Sequence, residues 1–572
     1  MKKILLAMCC MALLVGHSLM AQTKTIKGTV TDAGNSEPIP GVNVFIKETT
    51  TGTSTDLDGK YTLSNVPENA TLVYSFIGYT PQEVLVADKG QIDIALAQDA
   101  EELGEVVVTA LGISKEKERL GYSVTEVGSE ALNKARETNV ANSLAGRVAG
   151  LVVKGTNSGP GGTSKITLRG LPSISGTGSP LYVINGIPMD NSQRGSAGQW
   201  GGSDNGDGIG NLSPDDIETM TVLKGQAASA LYGTRASNGV IMITTKKGKK
   251  GGDWSLNYTM NYMAEQAVDF TDFQNVYGQG TGGQKPTTAA DARTTGRLAW
   301  GAMMDGSQVI GYDGKQYAYS PASESYIDFY RTGSNFTNTV AVSKGLGDDG
   351  SFRLSLSNLN AKSIVPNSDV ERLSINLNVD QNITEKLNVT AMINYIDQQS
   401  NNIPFLSDGP KNPNNFLFLA PNINHNIFAP GFNPETGAEI VFSDDIYVTN
   451  PHFIVNQGEN DLGRRRTISA LSAKYSFTKD IYALVRLGND VSNDRFFGVD
   501  PYGLAYSADL KGNLSGRGQS ERSELNLDGI FGARVDLTDN FELDALAGVS
   551  LRKNRYETVG VGGSRFVLPY LY

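Results

Sequence analysis

Leu373, Ile375, Leu377 and Val379 alternate with Ser374, Asn376, Asn378 and Asp380. Successive side chains of a strand point to opposite faces, so this stretch predicts a strand with one apolar and one polar face. The period returns in Leu525, Leu527, Phe531, Ala533, Val535 and Leu537, and again in Phe541, Leu543, Ala545, Ala547, Val549 and Leu551. Followed along the second half of the chain, it predicts about nine strands, near residues 254–264, 337–344, 351–359, 372–381, 387–396, 464–477, 481–491, 523–537 and 541–559. Soluble antiparallel sheets alternate as well, so the connections have to make the choice. Ile383-Thr384-Glu385-Lys386-Leu387, Phe477-Thr478-Lys479-Asp480-Ile481 and Leu537-Thr538-Asp539-Asn540-Phe541 read as tight turns, whereas 265–336, 398–463 and 493–522 are long polar excursions. Short turns at one end, long loops at the other and strands of about ten residues form the pattern of an outer-membrane barrel. Such a sheet has to close, because unpaired backbone groups cannot face lipid.

The first half follows other rules. Lys2 and Lys3 precede an apolar run from Ile4 to Val15, and Leu19-Met20-Ala21 offers a cleavage site before Gln22. Residues 1–21 therefore predict an export signal, too short to span a membrane, and they contain both cysteines, Cys9 and Cys10. Over 22–98, alternation at 25–30, 42–46, 61–63 and 71–76 predicts a small antiparallel β-sandwich. Asp56 and Asp58 before Gly59 lack the further oxygen ligands and terminal Glu of a calcium loop, and predict a β-turn. An acidic linker occupies 99–112. Residues 113–250 are mixed: a helix over 139–150 ended by glycine, strands near 151–154, 165–170, 180–186, 217–224 and 239–246, and a helix over 227–232 closed by Gly233. The glycine-rich stretch 195–210 lacks the flanking elements of a phosphate-binding loop and is expected to be a flexible outer loop.

Three groups of residues carry a family resemblance. Gly28-Thr29-Val30, Pro40-Gly41-Val42-Asn43-Val44 and Asp58-Gly59-Lys60-Tyr61 resemble the carboxypeptidase regulatory-like domain, which implies a transthyretin-like sandwich without catalysis of its own. Glu105, Val106, Val107, Val108, Thr109 and Ala110, followed by Leu111-Gly112-Ile113 and Gly121-Tyr122-Ser123-Val124, look like the TonB box and plug start of SusC/RagA proteins. Taken alone, three valines are more often a buried strand of the neighbouring domain, yet a β-branched extended run also suits strand addition to a partner's sheet edge. Gly225, Tyr232-Gly233, Arg235-Ala236 and Asn238-Gly239 stand where the plug pattern of that family has them. In this order the three modules resemble a SusC/RagA TonB-linked outer membrane protein over about the first 250 residues.

That resemblance implies active import: TonB, with its ExbB/ExbD motor, pulls on residues 105–110 and opens the plug. It also implies a SusD-like surface lipoprotein, an oligosaccharide or peptide substrate, and contact with outer-membrane lipid. The expected fold is mainly β. A small β-sandwich (22–98) and a linker (99–112) lead to a mixed α/β plug (113–250). The first strands of a large antiparallel transmembrane β-barrel follow (251–572). Plugged transporters have about 22 strands, so about nine strands are expected to be the N-terminal part of a barrel. Pro569 suits a loop at the end of the chain.

Composition narrows the chemistry. The 572 residues include 65 glycines and 39% hydrophobic residues, with a net charge of -11 and a pI near 5.0. Nucleic acid is excluded as a partner on this charge, since no surplus of Lys and Arg exists to displace counterions. Beyond the export signal, His425 and His452 are expected to be exposed loop residues, and no H-E-x-x-H, G-x-S-x-G or cysteine nucleophile occurs. Asp215-Asp216 and Asp444-Asp445 are adjacent and would point apart on extended backbone, although Asp215 after Ser213-Pro214 also fits a helix start. Arg169 and Arg235 are expected to pair with carboxylates structurally, substrate contact being the other reading. No catalytic, metal or cofactor site is predicted. Trp200, Trp300, Tyr312, Tyr317 and Tyr319 are candidates for stacking on sugar rings, and equally ordinary loop and girdle aromatics. The competing functions are a surface receptor or adhesin that binds without transport, and a secreted carbohydrate-active enzyme, which lacks recognisable paired carboxylates.

Overall fold

The computed structural model describes residues 23–571 apart from 48, 50, 77, 78, 98–105, 109–113, 117–123, 135, 171–177, 225–228, 325, 539 and 540. The expected export signal lies outside the described residues. The chain forms two units that divide after Val106.

The first unit is a sandwich of two sheets. Thr23–Asp32 sits between Lys60–Pro67 and Ile94–Leu96, while Gly52–Ser54, Asn43–Ile46, Thr71–Ser75 and Gln82–Leu85 make the other sheet. Alternate residues of these strands, among them Ile26, Val30, Val44, Tyr61, Leu72 and Tyr74, fill the core between them. The hydroxyls of Tyr61 and Tyr74 meet at 2.6 Å inside it, which satisfies two polar groups that burial would otherwise penalise. One pairing departs from the expected antiparallel pattern: Ile94–Leu96 runs parallel to Thr23–Asp32. The chain returns to the free edge of its first strand by a crossover, a connection that local alternation does not specify. The turn predicted at Asp56 is present, with Asp56 Oδ1 accepting from the N–H groups of Asp58 and Lys60 at 3.0 and 2.9 Å. Expressed alone, residues 23–97 are expected to unfold in one cooperative transition by circular dichroism; a gradual loss of signal would refute an independent core.

The second unit contains a sheet of nine strands paired in chain order, all antiparallel. These are β1 (Ser255–Glu265), β2 (Gly333–Gly345), β3 (Gly350–Lys362), β4 (Asp369–Asn382), β5 (Leu387–Asn401), β6 (Glu459–Ser476), β7 (Ile481–Asp500), β8 (Asn513–Thr538) and β9 (Phe541–Ser564). Among the described residues β1 and β9 are its edges. The later strands are much longer than predicted: β7 has 20 residues, β8 has 26 and β9 has 24. The excursion expected at 493–522 is therefore mostly strand, and only residues 501–512 connect β7 to β8. Apolar alternation stops where the hydrocarbon layer would stop, but the backbone ladder continues through polar residues above it.

Orientation settles what periodicity left open. On β7, Val485 and Leu487 are 54% and 42% exposed while Arg486 between them is buried. On β4, Ser374, Asn376 and Asn378 are buried and Leu373 points outward. The apolar face is the outer one, the reverse of a soluble sandwich, as a lipid-facing wall requires. Aromatic contacts Trp254–Phe352 and Tyr475–Phe477 gather at the end with the tight turns, in the manner of an interfacial girdle.

Residues from 124 to 245 pack against the polar inner face. Their five-stranded sheet runs in the order Val124–Gly128, Ile217–Leu223, Val240–Thr245, Leu181–Ile184, Ile187–Pro188, and a hairpin joins Leu151–Gly155 to Ser164–Leu168. The helix expected over 139–150 shrinks to one 3-10 turn, Val140–Leu144. Asn139 caps Ala141, and Gly146 and Gly150 take positive φ of 72° and 74°, so the chain turns twice where a helix would need to continue. At the opposite end of the barrel strands the loops share their own core, in which Phe329, Phe416, Phe428 and Phe442 meet.

Candidate functional site

Val106–Val108 is extended, as predicted, but it is not free: it pairs with Ser114–Glu116 in a two-stranded sheet separate from the plug sheet. Glu105, Thr109 and Ala110 lie outside the described residues. A two-stranded ladder uses one backbone edge of each strand.

The plug is fastened to the wall by buried charge. Alternation brings Arg464 and Arg466 of β6, and Arg486, Asp490, Ser492 and Asp494 of β7, to the inner face. Arg464 and Asp494 are directly opposite in the ladder and bond at 2.9 Å. Arg466 grips Asp490 through Nε at 2.8 Å and Nη2 at 2.6 Å. It also donates to the plug carbonyls of Asp190 at 2.7 Å and Gly208 at 2.8 Å. Arg194 of the plug reaches the other way, to Asp494 at 2.6 Å and Ser492 at 2.7 Å. Arg486 donates to the carbonyl of Gly186, Arg353 binds Asp216 at 2.8 Å, and plug Arg235 binds Glu524 at 3.1 Å. Burial alone would raise Asp190, but the Ser192 N–H and the Arg466 and Arg194 guanidiniums hold its carboxyl below the usual range. Such pairs need every partner, since removing one leaves an uncompensated buried charge.

Two cavities flank this packing. A cavity of about 610 Å³ opens toward the loops, lined by plug residues such as Asn139, Asn142 and Thr156 and by Tyr326, Tyr330 and Asn414 of the loops. Its described lining includes Glu137 and Glu265 and no Lys or Arg. A second, of about 480 Å³, lies toward the tight turns, between Asn185, Glu218 and Lys247 of the plug and Asn378, Thr390, Met392 and Ser472 of the wall.

Several sequence readings are corrected here. Of residues 195–210, most of 195–200 is exposed as an outer loop, but 204–210 is tied down: Asp204 accepts from Thr163 N at 2.7 Å and its hydroxyl at 2.6 Å, and Asp207 accepts from Ser164 N at 3.0 Å and Gly210 N at 2.9 Å. Burial pushes the Asp207 carboxyl up against those bonds. Asp215 and Asp216 do lie in a 3-10 turn that Pro214 begins, yet both are buried and each is paired, Asp215 with Arg136 at 2.6 Å. Asp444 and Asp445 converge on Arg297 instead of pointing apart. Arg169 is exposed with a φ of 57°, and Arg235 is the structural ion pair expected. Trp200 and Trp300 are 73% and 76% exposed, whereas Tyr319 is fully buried. Gly239 shows why that motif carries glycine: its φ is 92°, and a Cβ there would come within 2.5 Å of Leu168. The clamp residues went unpredicted because alternation marks an inward face without saying what that face meets.

His425 and His452 are not exposed loop residues. His425 is buried in the loop core, and its Nδ1 lies 3.2 Å from Nε2 of His452. Burial lowers the proton affinity of both rings, His452 to about 4 with His425 adding to the effect, while Glu324 and Asp328 oppose it for His425. Both folded values lie below the ordinary 6.5, so the neutral pair stabilises the loop core above about 6.5 and loses that contribution as pH falls toward about 4. Amide exchange in residues 425–455 is expected to quicken over that window, and His452→Phe is expected to flatten the dependence.

The CarboxypepD_reg-like domain family matches residues 26–108, and the TonB-dependent Receptor Plug Domain matches residues 116–240. The TonB-dependent receptor SusC of Bacteroides thetaiotaomicron is 35% identical over 376 residues, which are 65% of this chain and 34% of that protein. A TonB-dependent receptor of Formosa agariphila is 28% identical over 561 residues, 95% of this chain and 50% of its own. Among solved structures, the RagAB peptide importer in its open-open state is similar with a TM-score of 0.61 at 18% identity, over 82% of this chain and 51% of that one. The likeness to that structure is one of fold. The chain spans about a third to a half of the length of the relatives it matches.

Proposed function

We propose, for an outer-membrane chain that carries a carboxypeptidase regulatory-like domain and a TonB-dependent receptor plug and is homologous to SusC, that the whole protein is an active importer of oligosaccharides or peptides. One observation carries the reading: residues 124–245 pack on the polar inner face of a sheet whose outer face is apolar, and buried ion pairs hold them there. A fixed pore lining has no use for a removable domain, whereas a gate does. Substrate enters at the loop end, where the larger cavity opens. TonB, driven by ExbB/ExbD, pairs with the edge of residues 105–110 and pulls, and force passes through backbone pairing more than through any one side chain. A SusD-like lipoprotein completes the outer site, and no step requires catalysis by this chain.

Binding and accumulation separate this from the adhesin reading. Cells are incubated with labelled oligosaccharide and peptide mixtures, with and without a proton-gradient uncoupler. Import predicts that surface binding persists while accumulation stops. Accumulation that continues at the same rate after uncoupling would sink the proposal, and binding with no accumulation in energised cells would favour the receptor that does not transport.

A further inference from the structure

We infer that the passage opens through one plug segment, residues 206–217, and that the buried Arg136–Asp215 pair carries the pull to it. The inference rests on the energy-coupled import proposed above and adds where the gate is.

The two cavities sit at opposite ends of the β4–β5 wall. Asn378 and Met392 line the inner cavity, and Ser363 and Val365, just before β4, line the outer one. Between them the inward residues Arg372, Ser374, Asn376, Asn394, Ile396 and Gln398 are all buried. Residues 206–217, all buried, touch Arg372 and Gln398 of this stretch, and Gly161 of the plug also stands beside Gln398. Arg372 donates to the Gly210 carbonyl, Asn211 bonds Gln398 at 3.2 Å, and the Ser213 and Ser357 hydroxyls stand 3.4 Å apart. Asp216 then takes Arg353 and Ser355. Displacing this segment would uncover Arg372 and Gln398 on the wall between two spaces that already exist.

Its backbone makes such a movement feasible. Up to Asp216 the segment belongs to no sheet; it contains two 3-10 turns, Ile209–Asn211 and Pro214–Asp216, and is held by side chains, turn bonds and two longer backbone bonds, from Arg194 N–H to the Gly206 carbonyl at 2.9 Å and from Lys246 N–H to the Asp216 carbonyl at 2.8 Å. Residues 206–216 can shift without breaking a strand ladder, with Ile217, paired to Thr245, as the fixed end. Expelling the whole plug would also require release of Arg194, Arg235, Arg464 and Arg486, which hold it to β6, β7 and β8.

The pull has a short route to this segment. After the Val106–Val108 hairpin the first strand of the plug is Val124–Gly128, an edge strand whose sole neighbour in the sheet is Ile217–Leu223. An edge strand can be drawn off without disturbing the rest of the sheet. Helix Ser129–Lys134 follows, and then Arg136, whose Nη1 lies 2.6 Å from Asp215 Oδ2 with both side chains 7% exposed. Arg136 is thus a positioning residue: it ties the part of the plug that is pulled first to the segment that closes the wall.

The test uses the full-length protein in its native outer membrane, with other cysteines replaced. Thr390→Cys reports on the inner cavity, and the probe is a bulky, membrane-impermeant maleimide added outside, read as the mass-tagged peptide that carries residue 390. In the otherwise unaltered protein, labelling is expected only with TonB and a proton gradient present; labelling indifferent to both refutes the import reading itself. Oxidising Ser213→Cys with Ser357→Cys is expected to cut labelling by at least about tenfold, with recovery on reduction. Oxidising Ile187→Cys with Gly488→Cys, where a Cβ at 488 would lie 3.2 Å from that of Ile187, pins the plug elsewhere and is expected to leave labelling within about twofold. The location is overturned if the first lock leaves energised labelling intact, or if both locks abolish it as expulsion of the whole plug requires. Arg136→Met is expected to lower energised labelling about tenfold at unchanged surface abundance, and Arg136→Lys to restore much of it. Normal labelling in Arg136→Met would remove the link and leave the segment standing.

Discussion

Val107→Pro is expected to reduce substrate accumulation to the background of cells without TonB, with surface abundance and substrate binding close to normal. Proline removes the backbone N–H and fixes φ, and strand addition depends on both. The structure strengthens this separation, because Val106–Val108 forms its own two-stranded sheet with Ser114–Glu116 and supplies no strand to the plug sheet. The damage therefore stays local. Val107→Thr keeps the donor and the β preference and should accumulate substrate at nearly the normal rate. Binding, surface abundance and accumulation are measured on the same cells. A proline variant that still accumulates substrate at the normal rate would rule out the coupling role, and one that fails to reach the surface would return Val106–Val108 to a structural part of the plug.

Arg466→Met should have the largest effect on stability. Arg466 is fully buried and gives hydrogen bonds to Asp490, to the carbonyls of Asp190 and Gly208, and to Asn211 at 3.3 Å. Methionine fills much of the same space but leaves Asp490 without its cation and two plug carbonyls without a donor. Removing one partner of a buried pair costs about 3–5 kcal/mol, here concentrated on the contact between plug and wall. A lowered thermal midpoint of the purified full-length protein is expected, together with TonB-independent entry of a bulky antibiotic normally excluded by the outer membrane. The double variant Arg466→Met, Asp490→Leu should recover part of the midpoint, since it removes the stranded charge. An unchanged midpoint in Arg466→Met would show that the clamp does not hold the plug.

Much of this architecture is written in local patterns. Period-two alternation located all nine wall strands, because each must show one face to lipid and the other to the lumen. Thr384 and Thr478 mark their tight turns in the chain itself, each hydroxyl accepting from a backbone N–H three residues on. Strand lengths were less legible, since Gly516 to Arg522 continues the β8 ladder with no apolar face to announce it.

The sequence by itself determined the nine wall strands, three of their tight turns and four of the seven sandwich strands, since these follow from spacing and turn chemistry within a few residues; Gly52–Ser54, Gln82–Leu85, Ile94–Leu96 and Val124–Gly128 are too short to announce themselves. Only the tertiary structure decided which face of each strand is outside. It also decided that His425 and His452 meet inside a loop core, and that Asp190, Asp215, Asp216, Asp490 and Asp494 each have an arginine. The reason is sequence distance. Arg194 and Asp494 are 300 residues apart, and Arg353 and Asp216 are 137 apart. A charge on an inward face looks the same in the chain whether water or a partner awaits it, and the difference exists only once the plug is seated against the wall.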